Sequence, residues 1–587
     1  MDPKMKSHLI ICVLLAIPSI SCTAETVPAA DGDGTVRLNV ASEMMQSAAS
    51  SLNSHAEEEQ WSRLQPMYGT YIVLPHKWLL GDVPEDQNFA NYPRIKKMAD
   101  GKYIMFYHGG QYGSRIWSVT SPDLKTWSTP VMHYSPVRVT VDGEDDWRRF
   151  VNMDAVVLRS GEILAVCSYR AAGHYGEGKD GGLMLIRSSD NGKTWTEPQK
   201  IYDGVNWEAY LLELPDGRIQ CYFTDPIPQT RNSGTSLIVS EDGGYTWSRK
   251  IRVCRQYKYD YDGPNTEYTG QKIYTDQMPC FRVLNDGKTI AGFLEARLET
   301  PLSVTGASYC KMSMVWNDGL EWKDLGEESA GPEKRVTNFM KGGSGYMATF
   351  PSGEVVISCN SDSRFMLKVL DRNAECPYGS IWIEDWMYPF PGKGFWGSVE
   401  TDSPVTLVGA MHDDTGIQIE RFWLNHRIDA ASEDVTVDGN ASEWGTSQAL
   451  YLASESGTET IFRSARDADN LYLAVETACP SDNQVHELYL KFNNSSKSGT
   501  VTVRITPSGE VTASGAEIGW ASSKAVAKDG RDGVVTELGI PLSVLEAGDG
   551  DYIRFFAKAV TSGSTATFSL SDQENPDSWQ RIRLAGL

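Results

Sequence analysis

A hairpin motif recurs along most of the chain and constrains its fold more than any other feature. Each copy contains a hydrophobic strand, a tight Asp-Gly or Ser-Gly turn and a second hydrophobic strand. Five clear copies occupy residues 92–109, 152–170, 207–225, 277–297 and 345–361, and a degenerate sixth copy occupies residues 397–413. The turn glycines of the clear copies lie 60, 56, 70 and 66 residues apart, which suits four-stranded blades with long loops. Six copies therefore predict a six-bladed β-propeller.

A second motif follows the hairpins at SPDLKTW (121–127), SSDNGKTW (188–195) and SEDGGYTW (240–247), and a degenerate copy occupies residues 316–322. Asp and Gly favour a tight turn, while the Thr and Trp side chains can fix that turn to the blade. These segments resemble the Asp-boxes of sialidase-like propellers. The resemblance implies a structural role for them and no catalytic one.

The character of the sequence changes near residue 428, where short alternating strands and Gly-, Ser- and Asn-rich turns replace the repeat. This pattern predicts a β-sandwich. Residues 435–445 and 533–545 resemble the motifs of the carbohydrate-binding module family 9-like fold. Trp520 and Trp579 fit either the core or a sugar-binding surface. The fold class is therefore all-β, with a propeller at residues 66–428 followed by a sandwich at residues 429–587.

The N-terminal 22 residues have the layout of a secretory signal, with Lys4 and Lys6 before an apolar run that is too short to span a membrane. Cys22 resembles the lipidated cysteine of bacterial lipoproteins, and ordinary cleavage nearby is the alternative. Residues 23–65 read as a tether. We expect a periplasmic or cell-surface lipoprotein that meets the membrane only through a lipid at Cys22.

Charge and cysteine usage exclude several classes of function. The formal net charge of −23 would repel nucleic acid, and no basic stripe offsets it. Eight cysteines follow Cys22 without a CxxC pair or a histidine cluster, so zinc-site spacing is missing. We predict no metal or other cofactor, and a monomer whose partner is an oligosaccharide or polysaccharide.

The central channel is where the chemistry is expected, because the first strand of every blade lines it. Polar and charged residues at the starts and ends of otherwise apolar hairpins require a polar environment, and a site at the channel mouth would supply one. The residues predicted to bind substrate there are Arg94, His108, Asn152, Asp154, Tyr169, Arg170, Asp225 and Arg297.

Hydrolysis of a glycosidic bond needs two carboxyl groups beside the anomeric carbon. Glu208 and Glu295 lie in corresponding hairpins and are the predicted pair. The alternative is that one of them only forms a salt bridge with a nearby arginine.

The strings around these two acids resemble glycoside hydrolase family 93, the exo-α-1,5-L-arabinanases. Tyr92-Pro93-Arg94 matches that family's first blade, and the similarity spans roughly residues 90–300. It implies an exo-acting, retaining enzyme in which Glu208 is the nucleophile and Glu295 the acid/base, acting on an arabinan or another neutral glycan.

Two alternatives remain open. Family 33 sialidases share the fold and use a tyrosine nucleophile, which Tyr346 resembles, but they clamp a carboxylate with three arginines and only Arg94 is in place. A propeller that binds glycans without catalysis is the other alternative, since a fold by itself does not determine function.

Overall fold

A computed structural model describes residues 63–585, except for 68, 82–88, 110–113, 175–176, 227–232, 256, 261–271, 275, 300–307, 327–333, 371–385, 426–427, 433–434, 445–448, 454–457, 480–484, 495–500, 506–510, 515–517, 527–531, 562–564, 568–572, 575 and 577–578. The predicted signal, Cys22 and most of the predicted tether lie outside the described residues. No helix among the described residues is both long and apolar enough to cross a membrane.

Six antiparallel sheets of three to five strands, the blades, form between residues 63 and 425, together with one two-stranded hairpin. The chain starts with β1 (Arg63–Pro66), β2 (Ile72–Pro75) and α1 (His76–Leu80). Blade 1 contains β3 (Asn91–Lys97), β4 (Tyr103–Gly109), β5 (Arg115–Ser121) and β6 (Val131–Tyr134). Blade 2 contains β7 (Val137–Val141), β8 (Glu144–Val157), β9 (Ile163–Ala171), β10 (Gly181–Ser188) and β11 (Gln199–Asp203). Blade 3 contains β12 (Trp207–Glu213), β13 (Ile219–Pro226), β14 (Ser233–Ser240) and β15 (Ile251–Cys254).

A small hairpin of β16 (Tyr257–Asp260) and β17 (Lys272–Tyr274) precedes blade 4. Blade 4 contains β18 (Asp276–Val283), β19 (Ile290–Glu299), β20 (Ser308–Asn317) and β21 (Lys334–Lys341). Blade 5 contains β22 (Gly343–Thr349), β23 (Val355–Ser361) and β24 (Arg364–Leu370). Blade 6 contains β25 (Phe395–Ser403), β26 (Thr406–His412) and β27 (Gly416–Asn425), to which β1 and β2 both pair.

The first strands of the six blades close into a ring. Each of β3, β8, β12, β18, β22 and β25 contacts the next, and β25 returns to β3. Apolar side chains such as Phe106, Phe223 and Phe281 fill the spaces between blades and are fully buried. The N-terminal β1 pairs with β27, so the last blade combines both ends of the repeat. Because β1 begins at Arg63, the final residues of the predicted tether belong to blade 6 instead.

The three Asp-containing turns fold alike. In each one, a serine hydroxyl and an aspartate hold the turn, the threonine hydroxyl donates to the aspartate, and the tryptophan Nε1 donates to a turn carbonyl. These bonds lie within the turns on the outer strands, away from the channel. Their role here is local structure.

Two further sheets pack face to face after residue 428. The strands are β28 (Ile428–Ser432), β29 (Ala449–Ala453), β30 (Glu459–Arg466), β31 (Asn470–Cys479), β32 (Val485–Asn494), β33 (Val501–Ile505), β34 (Val511–Ser514), β35 (Gly519–Val526), β36 (Asp532–Pro541), β37 (Tyr552–Thr561), β38 (Thr565–Thr567) and β39 (Gln580–Leu584). A 3-10 turn (Ala441–Trp444) and the short helix α2 (Leu542–Leu545) complete the unit. β28 pairs in parallel with β39 and with β30, and so joins the two sheets. The predicted all-β fold class, a propeller followed by a sandwich, is confirmed.

The tryptophans of the sandwich have different environments. Trp444 is buried and its Nε1 donates to Glu537 at 2.7 Å, and Trp579 is also buried. Both are therefore structural. Trp520 on β35 is 40% exposed and is the aromatic residue of the three that solvent reaches.

The sandwich is joined to blade 6 by a short buried contact. The Asn425 side chain donates to the carbonyl oxygen of Tyr451 at 2.5 Å and accepts from the Tyr451 amide at 2.5 Å. Trp423 stacks on the Tyr451 ring with 5.2 Å between centroids. The sandwich thus rests on β27, the strand to which β1 pairs.

Candidate active site

Every inner strand carries a β-bulge at the same level of the channel. The ladder register shifts at one point in each of β3, β8, β12, β18 and β22, and at the corresponding point of β25. A residue with positive φ occupies each of these bulges. This bulge ring consists of Tyr92 (φ 60), Asn152 (φ 55), Glu208 (φ 43), Met278 (φ 50), Ser344 (φ 57) and Trp396 (φ 45). Non-glycine residues rarely adopt such angles, and bulges of this kind redirect side chains beside functional sites.

The second strand of each blade carries the matching acceptors. The residue before each bulge pairs with one residue on that strand, and these partners form an anchor ring of His108, Ser168, Thr224, Glu295, Asn360 and His412. Four anchor residues accept a hydrogen bond from the bulge amide of the next blade, at 2.7–3.0 Å. Four of the strained bulges are thereby fixed across a blade boundary.

Each of these two rings contains a single acid, and the two acids lie on adjacent blades. Glu208 is the acid of the bulge ring, and Glu295 is the acid of the anchor ring. His108, Thr224 and Asn360 make the same amide bond as Glu295 without a carboxylate. The backbone bond therefore does not require the charge of Glu295, and its acidity calls for another explanation.

Glu208 lies in an environment that favours its protonated form. Burial raises the pKa of the Glu208 carboxyl to about 7, against an opposing hydrogen bond from Thr224 and with a further rise from the neighbouring Glu295. Arg170 and Arg94 lower this pKa more weakly. A carboxyl group with a pKa near 7 can donate a proton at neutral pH.

Glu295 instead faces two hydrogen-bond donors. Gln277 Nε2 donates to its Oε1 at 2.7 Å, and the Ser344 amide donates to its Oε2 at 2.7 Å. Gln277 is itself oriented by the Ser233 hydroxyl at 3.1 Å. Two donors on two carboxylate oxygens hold the group in a fixed orientation.

A polar cluster joins the inner strands of blades 1, 2 and 5. Tyr346 donates its hydroxyl to Asp154 Oδ1 at 2.9 Å and accepts from Lys96 Nζ at 3.0 Å. Asp154 also accepts from the Leu211 amide at 3.3 Å. Burial raises the pKa of Tyr346 well above its usual value, with the adjacent Asp154 adding to the rise. Tyr346 therefore belongs to a satisfied buried network, and its hydroxyl bonds to Asp154 rather than to Glu208.

Arg94 lies against the aromatic rings of the channel. Its guanidinium carbon is 3.7 Å from the Tyr92 ring centroid and 4.7 Å from that of Tyr346. Its Nη1 donates to the carbonyl oxygens of three residues, Pro93, Trp396 and Gly397. The pocket at this level is lined by Tyr92, Arg94, Asp154, Ala209, Tyr210, Met278, Pro279, Gly345 and Tyr346.

Two residues predicted to bind substrate have hydrogen-bond partners of their own. The Tyr169 hydroxyl donates to Asp203 on β11 at 3.5 Å. Asp225 accepts from Ser236 at 2.7 Å and from Lys250 at 2.9 Å, and it pairs with Arg255. Both side chains thus bond within their own blades, and their contact with substrate stays a prediction.

The positions of Tyr169 and Asp225 follow from the lengths of the hairpin turns. Counting eight residues from the turn glycine reaches Glu295 in blade 4, where the turn closes between Leu284 and Thr289. In blade 3 the turn closes between Leu214 and Arg218 and is one residue shorter. In the other blades, a count of eight residues from the turn glycine therefore ends one residue beyond the anchor ring. Neighbouring residues of a strand point to opposite faces, so this shift reverses the predicted orientation.

The remaining predicted residues have mixed positions. His108 accepts the Asn152 amide at its Nδ1 at 3.0 Å, and burial lowers the pKa of His108 to about 3, so the ring is neutral. Arg170 stacks on Trp207 with 3.3 Å from its guanidinium carbon to the ring centroid. The side chain of Arg297 lies outside the described residues.

Sequence reasoning missed Thr224 and Trp396 of the two rings, Gln277 beside the Met278 bulge, and Lys96 of the polar cluster. A count from the start of each first strand, instead of from the turn, would have aligned the bulges and found the first three. Among the described residues, no group of His, Cys, Asp and Glu has the arrangement of a metal site.

Comparison with protein families gives no match to any family model. An anhydrosialidase from Macrobdella decora is 32% identical to the chain over 71 residues, which is 12% of this chain and 9% of that protein. The chain thus matches about a tenth of the length of this curated relative.

Among solved structures, the chain is similar to an α-L-arabinanase of Penicillium chrysogenum in complex with arabinobiose, with a TM-score of 0.40, 16% identity, and coverage of 61% of this chain and 98% of that one. It is also similar to the intramolecular trans-sialidase of Ruminococcus gnavus in complex with oseltamivir carboxylate, with a TM-score of 0.37, 10% identity, and coverage of 60% and 96%. Similarities at this level assign neither a family nor an activity to the chain.

Proposed function

We propose that this protein is a glycoside hydrolase whose two reacting carboxyl groups are Glu208 and Glu295. The bulge ring and the anchor ring each contain one acid, and these two acids lie on adjacent blades. Their different environments carry the proposal. Pairs of carboxyl groups in opposite environments are the usual arrangement for acid and base roles in glycosidic cleavage.

The environments favour particular roles. Glu208, with its pKa raised to about 7, would give its proton to the glycosidic oxygen as the bond to the anomeric carbon breaks. Glu295, held by two donors, would attack the anomeric carbon as a carboxylate and form a glycosyl ester. Water would then attack that carbon, lose its proton to Glu208 and release the sugar. These roles are the reverse of those that the family 93 resemblance implies, while retention of configuration is unchanged.

We further propose exo action on a neutral terminal sugar. The pocket lining includes Tyr346 and Asp154, whose hydrogen bond would form the inner end of a site that accepts one terminal sugar. Arg94 already donates Nη1 to three carbonyl oxygens, which disfavours a clamp for a sugar carboxylate. The engagement of Arg94 weighs against the sialidase alternative.

The wider setting is also a proposal. Export by the N-terminal signal and a lipid at Cys22 would hold the enzyme at a bacterial surface. If the sandwich binds glycan, the exposed Trp520 would be the side chain that contacts it. The protein would act as a monomer without a cofactor.

The test is a screen of aryl glycosides and polysaccharides that includes arabinofuranosides, α-sialosides and pectic fragments. Product sugars are identified, and the anomer released first is recorded by NMR. Release of a neutral sugar with retained configuration, abolished in Glu208→Gln and Glu295→Gln, would support the proposal. Turnover that survives both substitutions would refute the assignment, and glycan binding without turnover by any substrate would favour a non-catalytic propeller.

A further inference from the structure

One blade extends beyond the channel mouth as a two-stranded arm. β8 has 14 residues, and its residues 144–147 form ladder pairs with β7, while the Trp147 carbonyl also accepts from the Ala172 amide. The arm consists of β7 and residues 144–149 of β8. Its tip lies eight positions from the bulge residue Asn152, roughly 25 Å at about 3.3 Å per residue. The arm therefore rises well above the mouth.

The register of the arm places cationic and aromatic residues on one face. Arg138 is directly opposite Trp147, and its guanidinium carbon is 4.3 Å from the Trp147 ring centroid. Arg149 shares this face because it lies two residues after Trp147 on the same strand. Trp147 is 39% exposed.

The same face continues down to the candidate active site. Arg149 is directly opposite Arg170 on β9, and Arg170 stacks on Trp207, which immediately precedes Glu208. A path of guanidinium and indole groups thus leads from the arm to the acid. The opposite face of the arm is occupied otherwise, since Asp146 bonds to His174 and Arg148 pairs with Asp180.

The acids of the arm lie mainly at its tip. Asp145 is the acid that the register places on the cationic face, opposite Thr140. Glu144 and Asp142 are exposed at the turn, and Asp142 pairs with Lys179. The register thus places three arginines and one aspartate on this face, in a protein whose formal net charge is −23.

We propose that this face of the arm binds the anionic sugars that follow the terminal residue of the substrate. Guanidinium groups recognise carboxylate or sulfate, and indole rings stack on the apolar faces of sugars. Their combination on one path fits an acidic polysaccharide, whose neutral end enters the channel. The inference rests on the proposed function for the position of the cleaved bond, but it can be tested by binding alone.

The experiment uses the full chain with Glu208→Gln, so that probes are not consumed. Binding is measured by affinity electrophoresis to polygalacturonate and its methyl ester, and to dextran sulfate and dextran. Arg138→Gln, Arg149→Gln and the double variant are compared with Arg249→Gln, which removes an arginine whose side chain is 82% exposed on blade 3. Melting temperatures verify folding.

We expect charged probes to bind more tightly than their neutral counterparts and to weaken with added salt. Each arm substitution should weaken this binding roughly threefold, and the double variant about tenfold, as expected for exposed ion pairs. The better of the two charged probes identifies uronate or sulfate as the group recognised. Equal binding of charged and neutral probes, or equal effects of the arm and Arg249 substitutions, would overturn the proposal.

This outcome is independent of catalysis. A protein that hydrolyses nothing in the screen but binds acidic glycan through the arm would refute the proposed function and retain this inference. A hydrolase whose arm variants bind acidic glycans as well as the parent protein would do the reverse.

Discussion

The backbone amide of Ser344 donates a 2.7 Å hydrogen bond to Oε2 of Glu295, across the boundary between blades 4 and 5. This bond connects the candidate chemistry to the repeat, because neutral side chains make the equivalent bond at other boundaries. An amide side chain can make it too. The charge of Glu295 can therefore be removed without removing its structural bond.

Glu295→Gln should lower kcat/KM by a factor of roughly 10² to 10⁴ while the melting temperature changes little. The amide retains an acceptor oxygen for the Ser344 amide but cannot act as a carboxylate. Glu213→Gln is the matched control, since Glu213 lies at the far end of β12 and bonds to Arg159. Comparable loss in both variants would remove the catalytic role.

Activity should fall as pH rises through about 7, because Glu208 must carry a proton to act as the acid. Stability should follow the same group. Its pKa is raised from 4.5 to about 7, so its stabilising contribution is complete below pH 4.5 and is lost as pH rises through 7. Glu208→Gln should therefore gain stability relative to the parent across that range. Thermal melts at pH 4.5, 6 and 8 measure the difference. A constant difference would contradict the prediction.

Gln277→Leu should lower kcat by about tenfold and leave KM within about twofold. Gln277 acts through Glu295, to which it donates at 2.7 Å, and is a positioning residue. Ser233→Ala, which removes only the 3.1 Å bond to Gln277, should have a smaller effect. Equal changes in KM and kcat would indicate a general structural defect instead.

Tyr346→Phe should reduce the free energy of unfolding by about 1–2 kcal/mol and leave turnover largely intact. The substitution deletes the hydroxyl that bonds to Asp154 and Lys96, and those two groups remain 3.7 Å apart. Complete loss of activity in a folded variant, together with release of sialic acid by the parent, would establish the tyrosine nucleophile of the sialidase alternative.

Removal of residues 430–587 should lower the melting temperature while turnover of small aryl glycosides continues below it. The truncation exposes Asn425 and the face of Trp423 that Tyr451 covers. Asn425→Ala in the full chain removes only the two hydrogen bonds to Tyr451 and should lower the melting temperature less. An unchanged melting temperature in both proteins would show that the sandwich contributes nothing to the propeller.

Much of the propeller could be predicted from sequence, because each hairpin repeats the same alternation and the same turn. The pair of Glu208 and Glu295 also follows from the repeat, since both are acids at hairpin ends that are otherwise apolar. The structure brings them to adjacent blades at one mouth, as the shared bulge and ladder registers require.

The register at the mouth could not be predicted in the same way. The turn of blade 4 is one residue longer than those of blades 2 and 3, so a count from the turn glycine that reaches Glu295 passes the anchor ring at Tyr169 and Asp225. The ion pairs that neutralise Asp225 come from Lys250 and Arg255, some 25 and 30 residues further along the chain. The aligned arginines of the arm were also hidden, because they meet only through cross-strand pairing.

The pairing of β1 with β27 has a consequence for the order of folding. Thr70 bonds to Arg421, 351 residues away, and Arg63 is opposite Asn425. During synthesis, β1 emerges first and waits for its partner until nearly the whole propeller has been translated. Such distant pairing makes closure a late and slow step. Blades that fold earlier remain an open ring with an unsatisfied edge until then, so the emerging chain is most exposed to aggregation just before its final blade is complete.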